Sequence, residues 1–452
     1  MRTTAILLAA GQGLRMRSSL PKVLHHVAGK PMLWHALQAV HQVSTEKPVV
    51  IIGHQADSVS EYVADQAHCI VQEKQLGTAH AVQQARQFLQ GKTDQVLVTY
   101  ADMPLLSENT LKSLVAMQGS NEGPISLLTV ISDDPRGFGR IIRNTDGSVQ
   151  AIVEEAVGTP DQLKINELNV GAYCFDSNWL WEALDEIEVS PKGEYFLTDT
   201  IALAVKKGLK VTPLVLQDAT ETIGVNTKIH LAEAESAMRK RINQQHMLSG
   251  VTLIDPAATF IDAGISIGKD TTIWPNTYLR GITRIGERSE IGPGTIISDS
   301  NIGNQCRILM SVIDGSVLDD EVDMGPFARL RKGTHLCRGV HIGNFGEVKD
   351  STLGEGTKMG HFSYIGNATI GTNVNIGAGT ITCNYDGEHK HETRIEDDAF
   401  IGSDTMLVAP LKIGKRSRTG AGAVVTKDVQ DDTLVVGMPA RAIRKLEKKK
   451  NE

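Results

Sequence analysis

The stretch Ile261-Asp262-Ala263-Gly264-Ile265-Ser266-Ile267-Gly268-Lys269-Asp270-Thr271-Thr272-Ile273 decides the fold of the second half of this chain. Ile261, Ile267 and Ile273 begin a ladder with a period of six, and Leu279, Ile285, Ile291 and Ile297 keep its register. After a slip the ladder resumes at Val312, Leu318, Met324, Leu330, Leu336, Ile342 and Val348. Shorter runs follow at Leu353, Met359 and Ile365, and at Ile401, Leu407 and Ile413. Gly follows many rungs, as in Ile285-Gly286, Ile342-Gly343, Ile376-Gly377 and Ile413-Gly414. Such a period matches neither the roughly 3.6 of an amphipathic helix nor the alternation of a strand. It predicts a parallel β-helix: each short strand sends one aliphatic side chain inward, a tight turn follows, and about three strands close one coil.

The first half follows another grammar. Apolar runs at Ala5–Ala9, Val49–Gly53, Val96–Tyr100 and Ile125–Val130 read as buried strands, with helix-like stretches at Pro31–Val43 and Thr78–Leu89 between them. Strands alternating with helices predict a mostly parallel sheet covered on both faces. Ligands of such sheets bind outside the carboxyl ends of the strands. Thr227 is placed to cap a helix running to about Leu248, with Leu231, Ala234, Met238 and Ile242 on one face and Ser249-Gly250 as its stop. The expected organisation is a first domain over 1–226, a connecting helix over 227–249 and a β-helix with a C-terminal tail over 250–452.

Composition narrows the function. The 452 residues suffice for two or three domains. With 53 acidic and 46 basic residues and a net charge of −7, nothing favours nucleic-acid binding. A basic tail, Arg441 to Lys450 with Arg444, Lys445, Lys448, Lys449 and Lys450, reads as a solvated end. The five cysteines, Cys69, Cys174, Cys306, Cys337 and Cys383, have no CxxC spacing, so neither a zinc site nor a disulfide framework is expected. The apolar run Ala5–Ala10 is too short to span a bilayer, and the expected setting is cytoplasmic.

The chemistry concentrates after strand ends. The first strand runs into Leu8-Ala9-Ala10-Gly11-Gln12-Gly13-Leu14-Arg15-Met16, with Leu20-Pro21-Lys22 soon after. Glycines there allow backbone N–H groups to face a phosphate, and Arg15 and Lys22 add positive charge. A Gly-x-Gly after a strand is equally at home in a tight turn, and this one is neither a Rossmann GxGxxG nor a Walker A loop. Val98-Thr99-Tyr100-Ala101-Asp102-Met103-Pro104 sets a carboxylate at a strand end, either for a metal-bound nucleotide or to cap the next turn. Gln72, Gln75-Leu76-Gly77-Thr78, Gly139, Glu154, Asn169 and Gly224-Val225-Asn226 add further polar positions.

Together these motifs resemble the sugar-nucleotide pyrophosphorylases. With the six-residue ladder attached, nearly the whole chain resembles the bifunctional bacterial N-acetylglucosamine-1-phosphate uridyltransferase/glucosamine-1-phosphate acetyltransferases. The resemblance implies a Rossmann-like α/β nucleotidyltransferase domain followed by a left-handed parallel β-helix of hexapeptide repeats. It implies that Leu8, Ala9, Ala10, Gly11, Gln72, Gly77, Thr78 and Tyr100 line the nucleotide pocket. It gives Arg15 and Lys22 the phosphates, Gly139, Glu154 and Asn169 the sugar, and Asp102 and Asn226 one or two Mg²⁺ ions. One departure is Ala101, where the family usually has Gly before the metal-binding Asp.

In the second half the resemblance makes His361 the general base for acetyl transfer, a task neutral imidazole suits near pH 7; read from its residues alone, it is equally a turn histidine. Arg331, Lys349, Tyr364 and Asn375, with Asn384 beside them, would bind glucosamine-1-phosphate. Ala378, Asn384, Tyr385, Ser403 and Ala421 would contact acetyl-CoA. Tyr364 and Asn384 also suit ordinary turns. The period breaks from Thr382 to Thr393, which reads as an extruded loop whose Lys390 the resemblance sends toward an adjacent subunit of a homotrimer. Met438 stands where some relatives carry a basic residue for CoA, with Arg441 and Arg444 just beyond, and Lys332 replaces a family Pro. Two alternatives stay open: a single-activity nucleotidyltransferase with an inert β-helix, and a nucleotide-sugar sensor without catalysis.

Overall fold

The computed structural model describes residues 1–190 and 193–445; Lys448, Lys449 and Lys450 of the basic tail lie outside them. Contacts along the backbone divide the chain between Met238 and Arg239, inside the helix Lys228–Leu248. The Thr227 hydroxyl accepts the His230 N–H at 3.2 Å, capping that helix.

In the first unit the run TTAILL of Thr3–Leu8 is wholly buried, as a strand covered on both faces must be. The strands lie in the order Val211–Leu216, Ile125–Ile131, Glu167–Asp176, Gln95–Tyr100, Thr3–Leu8, Val49–Ile52, His68–Val71. Neighbours pair in parallel except Glu167–Asp176, which is antiparallel to both strands beside it. Thr3–Leu8, first in sequence, sits mid-sheet, with Val49–Ile52 on one side and Gln95–Tyr100 on the other, so the chain passes to both sides of it and its carboxyl end is the switch point where a crevice opens. The predicted Thr78–Leu89 helix is broken into Thr78–Gln83 and Arg86–Leu89.

The second unit is built from short parallel strands in which each pairs with the third one along the chain. That pairing stacks three sheets into the predicted parallel β-helix, of the left-handed hexapeptide class. Each coil sends inward aliphatics to a narrow core: Ile273, Leu279, Ile291, Ile297, Leu330, Ile342, Val348 and Ile365 are fully buried. The rung register differs from strict six-residue counting in one place. Val312 is 42 % exposed, while Ile313 is fully buried and pairs with Ile297 and Leu330. Five-residue steps at Ile297–Ile302, Ile308–Ile313 and Ile313–Leu318 absorb the difference, because each of those three corners is a residue shorter. Ile313→Ala should therefore lower unfolding stability by about 2–5 kcal/mol, and Val312→Ala by at most about 0.5 kcal/mol; chemical denaturation of the two variants checks the register.

Corners need left-handed backbone, and Asn and Asp tolerate it best after Gly. Asp270, Asn276, Asp299, Asp350, Asn367, Asn373, Asp398 and Asp404 hold such positions. A second ladder lies beneath them. Thr277, Thr283, Thr334 and Thr380 are buried, and each hydroxyl donates to the carbonyl three residues back at 2.7 Å. Thr382 and Thr393, assigned above to the extruded loop, are buried inside the strands Ile381–Cys383 and Thr393–Ile395; the excursion proper lies between them.

Candidate functional sites in the two units

In the first unit Leu8, Ala9 and Ala10 are buried at the end of the central strand, and Gly11 emerges into solvent. The Gln75 side-chain amide donates to the Ala10 carbonyl at 2.8 Å and holds the turn from across the crevice. Gln12, Gly53, His54, Gln72, Glu73 and Gln75 line a cleft of about 350 Å³ beside it. Gln72 is itself buried, its amide donating to the Gly77 carbonyl at 3.1 Å.

Gly77 has φ +100°, and a β-carbon there would lie 2.5 Å from the Tyr195 carbonyl oxygen. The segments are stitched together: the Tyr195 N–H donates to Leu76 O at 2.8 Å, and the Leu197 N–H donates to the Thr78 hydroxyl at 2.9 Å. Gly77→Ala must therefore push the two segments apart; nucleotidyl transfer should fall at least tenfold, with KM for the nucleotide rising, in steady-state assays.

The most informative cluster lies one strand over. The Lys22 ammonium is ion-paired with the Asp102 carboxylate and donates to Asn226 Oδ1 at 3.2 Å. Both members of the ion pair are largely buried, with side-chain exposures of 14 % and 17 %. The Val225 N–H donates to the Asp102 carbonyl at 2.9 Å, which fixes Asn226 beside the carboxylate. Two oxygen donors thus already converge on positive charge at a strand end. Arg15 stands exposed in the short turn Leu14–Met16.

The predicted sugar residues gather behind. Asn169 is buried and donates to the Tyr173 hydroxyl at 2.7 Å, and its backbone N–H donates to Gly139 O at 2.8 Å. Tyr100 packs against Gly171, and burial together with the Asp102 and Glu154 charges pushes its phenol well above the usual range. Burial also raises the Glu154 carboxyl, partly offset by the Thr198 hydroxyl that donates to it at 3.2 Å. Thr198, Tyr195 and Glu73 carry no motif of their own, so only tertiary packing reveals them.

In the second unit four predicted residues form one line. His361, Ala378, Ser403 and Ala421 each stand two residues past a core position, and register pairs those positions on four successive coils. Coils rise about 4.8 Å each, so the line runs roughly 14 Å along one edge. His361 is exposed at its start.

Arg331 and Lys349 occupy the next edge on adjacent coils, one strand's width away. The Tyr364 ring lies over Gly366, where a β-carbon would meet its Cζ at 2.8 Å, and Gly366 pairs with Lys349. Arg331 is 3.1 Å from Glu347. Lys390 approaches closely enough that its ammonium holds Lys349 below the usual lysine range. Three cations thus crowd one edge. Asn375 lies on the neighbouring sheet, between Lys358 and Phe400.

Within one chain Asn384 and Tyr385 are not gathered with the His361 line. They follow the far end of the strand Ile381–Cys383. Asn384 is buried and donates to Asn367 Oδ1 at 2.7 Å, and Tyr385 is exposed with its hydroxyl donating to Gly387 O at 2.5 Å. Their loop is ordered by Asp386, which accepts the Glu388 and His389 backbone N–H groups and contacts His391. Met438 is 79 % exposed in a terminal hairpin whose second strand, Ala440–Lys445, carries Arg441 and Arg444.

Comparison with known proteins covers both units. The family described as nucleotidyl transferase matches residues 4–236, and the hexapeptide repeat of succinyl-transferase matches residues 392–427. The Bifunctional protein GlmU of Heliobacterium modesticaldum is 46% identical over 436 residues, which is 96% of this chain and 95% of that one. Those of Streptococcus suis (46% over 434 residues, 96% of this chain and 94% of that one) and Geobacillus sp. (44% over 442 residues, 98% and 96%) are similar.

Proposed function

We infer the chemistry from this premise: the chain belongs to the family of the bifunctional GlmU proteins. It is a uridylyltransferase and an acetyltransferase that together make UDP-N-acetylglucosamine. The second unit moves the acetyl group of acetyl-CoA to glucosamine-1-phosphate. The first moves UMP from UTP to the resulting N-acetylglucosamine-1-phosphate and releases pyrophosphate. The carrying observation is the convergence of Asp102 and Asn226 oxygens on the Lys22 ammonium at a strand end.

Nucleotidyl transfer in this family uses a divalent metal. We propose Mg²⁺, as one or two ions, held by Asp102 and Asn226. The donor set fits: both atoms are hard oxygens, and Mg²⁺ takes only one or two protein oxygens and completes its octahedron with water and phosphate. When bound, Mg²⁺ supplies charge neutralisation to the triphosphate. The chain supplies the positioning. The Leu8–Gly11 turn and the Gln72–Thr78 segment flank the nucleotide. Gly139, Glu154 and Asn169 hold the sugar, and Lys22 and Arg15 meet the phosphates. A sugar-phosphate oxygen attacks the α-phosphorus of UTP and the bond to pyrophosphate breaks, so no protein nucleophile is needed.

For acetyl transfer His361 takes a proton from the amine as it attacks the thioester carbonyl, and the CoA thiolate leaves. Arg331 and Lys349 match the dianionic phosphate of the acceptor. The Ala378–Ser403–Ala421 line is long, narrow and made of small side chains, which suits an extended thioester arm. Arg331, Lys349, Asn384, Tyr385 and Lys390 all end or follow strands of one sheet and stand an edge away from His361 in their own chain, so we assign them to a homotrimer in which that edge faces the His361 line of a neighbouring subunit. Phe327 and Phe345, stacked at 5.6 Å, and Phe362 on the next coil are each more than half exposed, an apolar stripe that a second chain would cover. We propose a cytoplasmic setting, where UTP and acetyl-CoA are supplied. Among the described residues no helix is long and apolar enough to cross a membrane.

The test follows free thiol and pyrophosphate in one reaction given N-acetylglucosamine-1-phosphate, UTP and Mg²⁺, and in another given glucosamine-1-phosphate, acetyl-CoA, UTP and Mg²⁺ together. The first should release pyrophosphate, and the second both products, pyrophosphate only after thiol. Pyrophosphate in the first without any thiol release in the second would instead favour an inert β-helix, and neither product in either a sensor.

A further inference from the structure

One corner of the β-helix departs from its own rule. The residue following the inward aliphatic is Gly268, Gly286 and Gly303 on three coils, then Asp319 and Cys337 on the next two, then Gly354 and Gly371. All seven donate their N–H groups in the same manner to the following coil, at 2.7–2.9 Å. The corner is tight: a β-carbon at Gly303 would meet the Asp319 carbonyl carbon at 2.6 Å, and one at Gly354 the Gly371 carbonyl carbon at 2.5 Å. Side chains there require the backbone to give. Glu396 is a later departure, and its carboxylate is paired with Lys412 at 3.1 Å.

The two substituted positions are joined by a third ligand-bearing side chain. His335 lies two residues before Cys337, faces outward, and holds its Nε2 3.0 Å from Asp319 Oδ1. The Asp319 oxygen, His335 nitrogen and Cys337 sulfur all lie within 4.8 Å of one another. We propose that Asp319, His335 and Cys337 form a binding site for a borderline-soft divalent cation, of which zinc is the best match, clipping two successive coils together.

One thiolate, one imidazole and one carboxylate suit tetrahedral zinc, with water in the fourth position. The same trio suits magnesium poorly, because that ion prefers an all-oxygen octahedron. The site is therefore chemically distinct from the Asp102–Asn226 oxygens of the first unit. Binding converts the Cys337 thiol to thiolate and releases its proton to solvent. Cys306 does not belong to the trio: its buried sulfur points into the hydroxyl ladder and donates to the Asp319 backbone carbonyl at 3.2 Å. Asp319 is supplied by one coil and His335 and Cys337 by the next, so occupancy resists separation of the two coils at a point where the glycine rule is broken.

The test uses the full-length protein stripped with chelator and titrated with Co²⁺ as a spectroscopic stand-in. A thiolate-to-cobalt charge-transfer band should grow to saturation and be bleached by Zn²⁺. Cys337→Ser and His335→Ala should abolish it, while Cys383→Ser should keep it. Zn²⁺ should raise the melting temperature of the wild type but not of Cys337→Ser. Absence of the band in the wild type, or its survival in Cys337→Ser, overturns the proposal. An oxygen-only site in the first unit gives no thiolate band, so the result is independent of the catalytic reading. Both transferase activities should persist in the two variants and report their folding.

Discussion

Replacing His361 with Ala should cut acetyl transfer by about a hundred- to ten-thousand-fold and leave uridylyl transfer unchanged. The amine of glucosamine-1-phosphate must shed a proton as it attacks, and on the edge formed by His361, Ala378, Ser403 and Ala421 only His361 can receive it. Its neighbours on that line have small side chains that leave room for a ligand rather than react. Thiol release from acetyl-CoA and pyrophosphate release from UTP, measured separately on one preparation, read the two halves. The KM for acetyl-CoA should move little, because the lost group acts on the proton and not on the cofactor. Retained acetyl transfer would mean that His361 is a turn histidine. The edge would then need another base.

Asp102→Asn should have the complementary effect, lowering uridylyl transfer by about a hundred- to a thousand-fold with acetyl transfer intact. The substitution keeps an oxygen for Lys22 to bond, so the fold should survive, but it removes the negative charge that draws a cation to this point. Raising Mg²⁺ should recover part of the lost rate if the carboxylate acts as a metal ligand. No recovery, with a normal circular dichroism spectrum, would point to Asp102 serving mainly to orient Lys22. The two variants form a crossed pair: each should silence one activity and spare the other.

The sites were legible in the sequence to different depths. Lys22 lies 80 and 204 residues from Asp102 and Asn226 along the chain yet is hydrogen-bonded to both; Asp102 stood out at a strand end and Lys22 near a glycine turn, where chemistry collects in a parallel sheet, whereas Asn226 took its role from the family resemblance. The supports were not legible. Gln75 on the Ala10 carbonyl, Thr198 on Glu154 and Tyr195 against Gly77 are common residue types in unremarkable contexts, and their meaning comes only from what packs against them. In the second half the members of the His361 line came from the family resemblance, and their linearity depends on strand register. Asp319, His335 and Cys337 were invisible as a group because no known ligand spacing links them; they meet only when two coils stack.

The architecture was already written in the order of the residues. A six-residue aliphatic period can be buried in only one way, with one inward side chain per short strand, and alternating apolar runs and helices demand a covered parallel sheet. Tertiary structure decided everything that depends on coil length and crossing. It exchanged Val312 for Ile313, because a corner one residue shorter shifts the inward face and periodic counting cannot see where that occurs. It returned Thr382 and Thr393 to the strands, since both are buried at positions that an aliphatic period does not mark. It also separated Asn384 and Tyr385 from His361 within one chain, since adjacency in sequence does not determine which edge of a prism a residue occupies.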